Sequence, residues 1–298
     1  MGPQRAEGHV TVLGYRLFYR TFGRADLGST VLGLHGGPGA SHDYLLPLAD
    51  LAEAGHRVVL FDQLGCGRSD VPNDASLFTI EHHVREVEGV RSVLGLGRVH
   101  LVGSSYGGLL ALAYVLAHPG NVLSLTTVGG LASVPLAQAE MNRLKAVLPA
   151  DVLETMRRCE ADGRIDSAEY QAAVDLFYRR HLCRLDPWPK ELTYSLEQAA
   201  ARPVYRIMNG PNEFTITGTI RDVDVSPRLR EIRVPTLVLG GRYDEVTPTV
   251  ARQIHEGIPG SRWVTFEASA HLPFWEERER FFTVLSSFLR TVDRSAAR

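Results

Sequence analysis

Residues 99–108 read Val-His-Leu-Val-Gly-Ser-Ser-Tyr-Gly-Gly, and an apolar stretch from Leu109 to Ala117 follows them. A short buried strand, a glycine-rich turn and a helix apolar on every side are the expected elements. Of the two adjacent serines, only Ser105 has glycine two residues away on both sides, in Gly103-x-Ser105-x-Gly107. That spacing belongs to the strand-to-helix elbow that carries a nucleophilic serine, a turn so tight that the flanking residues must be small. Ser105 also falls at the helix N-terminus, whose dipole favours developing negative charge. Ser104 is then a spacer. Taken alone, the motif is equally readable as a glycine-rich turn with incidental serines.

The surrounding pattern supplies the fold. Val10–Leu13 and Arg16–Phe22 read as a hairpin through Gly14, and Thr30–Leu34, Arg57–Phe61, Val99–Val102 and Val122–Val128 as further strands. Helical stretches lie at Ser41–Ala54, Thr79–Leu94 and after Leu109. Strand alternating with helix predicts an α/β protein with a mostly parallel sheet flanked by helices. From Ser133 the pattern turns helical (137–148, 150–161, 167–182 and 191–201). After Pro235 it returns to strand Thr236–Leu239, helix Val250–Glu256, strand Arg262–Phe266 and helix Glu276–Leu289. The expected organisation is a core of residues 1–132 and 231–298, interrupted by a helical cap at 133–230.

A serine hydroxyl needs a base, and the base needs an orienting carboxylate; behind such an elbow they follow in the order Ser, Asp or Glu, His. Asp244 comes after strand Thr236–Leu239 and His271 after the strand ending at Phe266, where that topology requires them. His82, His83, His118 and His181 fit less well and are read as surface or structural. Two N–H donors are needed for an oxyanion: the residue after the nucleophile, Tyr106, and the His35-Gly-Gly-Pro-Gly39 loop, where Gly37 is preferred and Gly36 is the alternative. Asp62-Gln-Leu-Gly-Cys-Gly-Arg-Ser69 reads as a structural turn near the mouth of the site.

Composition narrows the partners. The 298 residues carry 32 basic against 34 acidic groups, a net charge of −2 that offers no general attraction to nucleic acid or anionic lipid. Cys66, Cys159 and Cys183 are widely spaced and form no C-x-x-C motif. No zinc-binding H-E-x-x-H, phosphate-binding loop or complete dinucleotide fingerprint is present, so neither metal nor organic cofactor is expected. The first residues lack the apolar stretch of a signal peptide, and no apolar run is long enough for a bilayer, so a soluble cytoplasmic protein is expected.

Together, His35-Gly-Gly-Pro-Gly39, Asp62-Gln-x-Gly-x-Gly-x-Ser69, Gly103-x-Ser-Tyr-Gly-Gly108, Gly241-x-x-Asp-x-x-Thr-Pro248 and His271 resemble the proline iminopeptidases of the α/β-hydrolase superfamily. Tyr205-Arg-Ile-Met-Asn-Gly-Pro-Asn-Glu-Phe214 resembles a cap segment of that family, and the likeness runs from about Leu13 to Phe288. Amino acid amidases share these motifs. The resemblance implies a serine hydrolase that releases an N-terminal residue from a small peptide, arylamide or amide with a free amine. It implies Glu213 and Glu245 as anchors for that amine, with Tyr205 a weaker candidate. The cap aromatics Phe177, Tyr178, Trp188 and Tyr194 are expected in packing rather than in the pocket. An esterase or lactonase on the same core, and a non-catalytic receptor, are the competing readings.

Overall fold

A computed structural model of the chain describes residues 5–24 and 28–296. Its strands are β1 (Arg5–Val12), β2 (Tyr15–Phe22), β3 (Thr30–Leu34), β4 (Arg57–Phe61), β5 (Val99–Ser104), β6 (Val122–Val128), β7 (Thr236–Gly241) and β8 (Arg262–Phe266). They form one sheet in the order β1-β2-β4-β3-β5-β6-β7-β8. β2 runs antiparallel to both neighbours, and every pair from β4 to β8 is parallel. Leu13 and Gly14 both take positive φ, 52° and 88°, which gives the two-residue hairpin turn whose twist matches paired strands.

The helices are α1 (Ile80–Val93), α2 (Tyr106–Ala117), α3 (Val134–Lys145), α4 (Ala150–Ala161), α5 (Ala168–His181), α6 (Lys190–Ala201), α7 (Pro203–Met208), α8 (Pro248–Gly257), α9 (Pro273–Glu276) and α10 (Arg278–Ala296). Strand side chains alternate between two cores. Val59 and Phe61 of β4 pack with residues of α1, α2 and α8, whereas Val58 and Leu60 pack with Phe281, Leu285, Phe288 and Leu289 of α10. β3, β5 and β7 are buried along their whole lengths. That explains why they read as continuous apolar runs rather than as alternating ones.

Helices α3 to α7 lie between β6 and β7 and have a core of their own, in which Met156, Cys159, Tyr170, Phe177 and Phe214 are buried together. At the base of this insertion Ser133 pairs with Asp224. The Val134 N–H donates to the Val223 carbonyl at 2.9 Å and the Val225 N–H to Ala132 at 2.8 Å.

Four local expectations change. The segment expected as a helix over 41–54 is a 3-10 helix, His42–Ala52, with Pro47 inside it, where an α-helix would lose a donor and clash. α2 begins at Tyr106 rather than Leu109, because the chain turns into the helix at Ser105 itself. α7, opened by Pro203, was not anticipated. The expected helix 276–289 is two helices, α9 and α10, parted at Glu277, whose φ of −126° and ψ of 51° leave the helical region.

The elbow itself depends on glycine. A β-carbon at Gly103 would collide with the carbonyl of Gly107, and one at Gly107 with the carbonyl of Leu34, so β5, α2 and β3 meet backbone to backbone. Gly103→Ala is therefore expected to destabilise the fold by about 1–3 kcal/mol, seen as a lower urea midpoint at constant slope. An unchanged midpoint would show that strand and helix separate there without cost.

Candidate active site

Ser105 sits between β5 and α2 with φ 58° and ψ −128°, a left-handed conformation rarely adopted by a residue with a side chain. Main-chain bonds hold it there. The Ser105 N–H donates to the Val128 carbonyl at 2.9 Å, and the Gly108 N–H donates to the Ser105 carbonyl at 2.8 Å.

Asp244 and His271 follow β7 and β8, the neighbouring parallel strands, so all three residues gather at the carboxyl ends of the sheet. His271 Nδ1 lies 2.6 Å from Asp244 Oδ1, which also accepts the Val246 N–H at 2.8 Å. Gly129, at the end of β6, has a φ of 55°. A β-carbon there would lie 2.6 Å from His271 Nδ1 and 2.9 Å from Asp244 Oδ2, so the pair occupies space that a side chain would fill. With Nδ1 engaged by the carboxylate, Nε2 is the ring nitrogen left for the cavity that Ser105 and His271 both line.

That cavity has a volume of about 530 Å³, and α5, α6, α7 and the following loop, all from the insertion, form part of its wall. Gly37 lines it. Gly36 does not present a free donor, because its N–H donates to the Tyr44 hydroxyl at 2.7 Å, and a β-carbon on it would approach Ser105 Cβ to 2.6 Å. His35 fixes this loop. Its Nε2 accepts the Gln63 N–H at 3.1 Å, its Nδ1 lies 3.0 Å from the Gly36 carbonyl, and Gln63 Nε2 donates to the His35 carbonyl at 2.8 Å. The bond at Nε2 makes Nδ1–H the donor. The turn after β4 is held in the same way: Asp62 accepts from the His42 N–H, His42 Nδ1 and the Arg68 N–H.

Tyr106 is anchored from below. Its hydroxyl lies 2.8 Å from Nδ1 of His83, which burial keeps uncharged by pushing its pKa down to about 3. His82 and His83 are both buried rather than at the surface.

Three carboxylates surround His271. Glu245 is buried, and its Oε2 has no hydrogen-bond partner among the described residues. Burial, opposed by His271 and reinforced by Glu213 and Asp244, raises its pKa to about 8. Glu213 opens onto the same cavity and accepts the Tyr205 hydroxyl at 2.5 Å; burial raises its pKa too, against that hydrogen bond. Burial works against charge on His271, but Asp244, Glu245 and Glu213 outweigh it and lift its pKa to about 9.

One expectation is corrected. Tyr178 lines the cavity, whereas Phe177 packs on Phe214, Trp188 donates to the Cys183 carbonyl at 2.9 Å, and Tyr194 stacks under Arg68. The end of α5 also reaches the site in a way that the sequence did not signal. The Glu245 N–H donates to the His181 carbonyl at 3.0 Å, the His271 N–H to the Leu182 carbonyl at 3.2 Å, and His181 Nδ1 donates to the Tyr243 carbonyl at 2.8 Å. Two of these bonds involve main chain on both sides, so no residue pattern announces them.

Residues 29–278 match the family model described as alpha/beta hydrolase fold. The chain is 46% identical to the proline iminopeptidase of Thermoplasma volcanium, over 95% of this chain and 96% of that one. It is 45% identical to the proline iminopeptidase of Saccharolobus solfataricus, over 96% and 93%. Among solved structures, VinJ superposes with a TM-score of 0.93 at 40% identity, covering 96% of this chain and 99% of that one. The proline iminopeptidase of Mycobacterium smegmatis superposes with a TM-score of 0.91 at 34% identity, over 98% and 100%. The chain therefore belongs to the proline iminopeptidase family of the α/β-hydrolase fold.

Proposed function

We propose that this protein is a serine aminopeptidase that releases an N-terminal residue, proline or another small apolar one, through an acyl-enzyme. The carrying observation is the buried Glu245 carboxylate, whose Oε2 has no hydrogen-bond partner among the described residues, on the same cavity as Glu213, Ser105 and His271. A buried carboxylate without a cation is costly, and a substrate ammonium supplies that cation.

In the proposed reaction Ser105 Oγ attacks the carbonyl of the first residue while His271 Nε2 takes its proton. Asp244 holds the ring and its charge, and the N–H groups of Gly37 and Tyr106 receive the oxyanion. His271 then returns the proton to the departing nitrogen, and water repeats the sequence on the ester. Glu213 and Glu245 hold the amine, and Tyr205 sets the Glu213 carboxylate by donating to it. The insertion acts as the cap over the core, and every step is carried by protein groups. Among the described residues no helix is long and apolar enough to cross a membrane, and a cytoplasmic location suits three buried free thiols. Simple amino acid amides fit the same chemistry, with ammonia as the leaving group.

Ser105→Ala is expected to lower kcat on a prolyl arylamide by more than about 10⁴-fold with the unfolding midpoint retained, and to abolish labelling by a fluorophosphonate. N-acetylation of that arylamide is expected to cost on the order of 10³-fold or more in kcat/KM, because the carboxylates then stay unpaired. Equal rates for free and acetylated substrates would remove the amine anchor and favour the esterase reading.

The pH dependence follows from the charges. His271 must be neutral to act as a base, and Asp244 together with the two glutamates outweighs burial in favouring its protonated form, so the acid limb of kcat/KM lies above the ordinary histidine range. Bound ammonium offsets the glutamates, so the limb of kcat lies at lower pH than that of kcat/KM. Glu245→Gln is expected to move the kcat/KM limb to lower pH and to raise KM. A raised KM with an unmoved limb would mean that Glu245 binds substrate without influencing the base.

A further inference from the structure

The cavity is lined by charge of both signs. Glu213 and Glu245 line it together with Ser105 and His271, and so do Arg202, the residue before α7, and Arg206, about one turn further along that helix. The Tyr205 hydroxyl donates to Glu213, while the next residue, Arg206, has a side chain 68% exposed at the rim. Arg202 is half-buried, and its Nη2 donates to the Gly67 carbonyl at 2.9 Å, which pins the guanidinium and takes one of its five N–H donors. Asp166, on the loop between α4 and α5, faces Arg206 at 3.6 Å with both side chains largely in solvent.

We propose that Arg202 and Arg206 form a subsite for the C-terminal carboxylate of a short peptide, on the departing side of the bond that Ser105 cleaves. The inference rests on the aminopeptidase reading above and extends it to the far end of the substrate. An ammonium held at the two glutamates fixes the first residue over Ser105, so the chain beyond the scissile bond runs toward the rim. Each extended residue advances it by roughly 3.3–3.6 Å. A cavity of this size takes a ligand of a few residues rather than a single amino acid amide. Arginine matches a carboxylate with paired N–H donors, and Asp166 competes for Arg206 when no such ligand is bound. A simple amide or an arylamide lacks a carboxylate and does not engage the subsite. The rim is wet, so the attraction is screened and modest.

The test compares Pro-Ala-Ala with Pro-Ala-Ala-amide in the same assay. The wild-type enzyme is expected to favour the free acid in kcat/KM by about three- to tenfold at low salt, and less at high salt. In the double variant Arg202→Gln/Arg206→Gln the ratio is expected to fall to near one. Arg206→Glu should make the amide the better substrate, and Asp166→Asn should raise the preference for the acid. Because each result is a ratio within one enzyme preparation, a partly unfolded variant does not imitate it. A wild-type ratio near one, or a ratio unmoved in the double variant, would overturn the subsite. Free and N-acetyl prolyl arylamides run alongside separate this failure from that of the parent reading. If the free amine is required and the peptide ratio is one, only the arginine subsite falls; if the acetylated arylamide is cut equally well, the aminopeptidase reading falls with it.

Discussion

Everything at the site is referred to one backbone constraint, the left-handed turn at Ser105. The chain passes from β5 into α2 within a single residue, and that is tolerated because Gly103 and Gly107 let three main-chain segments touch. The same closeness places the loop after β3 beside Ser105, so Gly36 and Gly37 are positioned by the packing that strains the serine. Tyr44 then fixes the loop at Gly36, and His83 fixes Tyr106, each through a buried hydrogen bond. Substituting either of these partners would leave a buried polar group unsatisfied as well as loosening a loop.

The second organising feature is electrostatic. Asp244, Glu245 and Glu213 bring three carboxylates around one imidazole in a poorly solvated space. Without a ligand, the cheapest neutralisation is a proton on His271 or on a glutamate. In the proposed reaction a cationic amine replaces that proton and frees the base. On that reading, recognition of the amine and readiness of the base are one charge balance, with sensitivity to blocked substrates built into the ground state.

Most of the architecture was legible in the sequence because its signals are local. Apolar runs with glycine punctuation marked β3 and β5 to β7, and the order of Ser105, Asp244 and His271 along the chain follows from the sheet topology. Boundaries were less legible where one residue decides them: Pro47 turned an expected α-helix into a 3-10 helix, and Glu277 split the last helix in two. Glu213 has no local signature beyond the run around it. Its partnership with Tyr205 comes from a turn between α7 and the Asn-Gly-Pro-Asn loop, in which the Asn209 and Gly210 N–H groups both donate to the Tyr205 carbonyl. Tyr178 gives no signal of its place, because an aromatic at helical spacing looks the same whether it faces a core or a cavity.

An insertion between two strands looks like an exchangeable cassette, since both of its ends lie at the Ser133–Asp224 pair. The bonds from His181 and Leu182 to the loops of Glu245 and His271 say otherwise. Those two carbonyls are structural members of the loops that carry Glu245 and His271, so a transplanted insertion with a different path at the end of α5 would leave two loop N–H groups without acceptors. The wall of the cavity and the placement of Asp244 and His271 are therefore tied together in this chain, and changes at the end of α5 act on both at once.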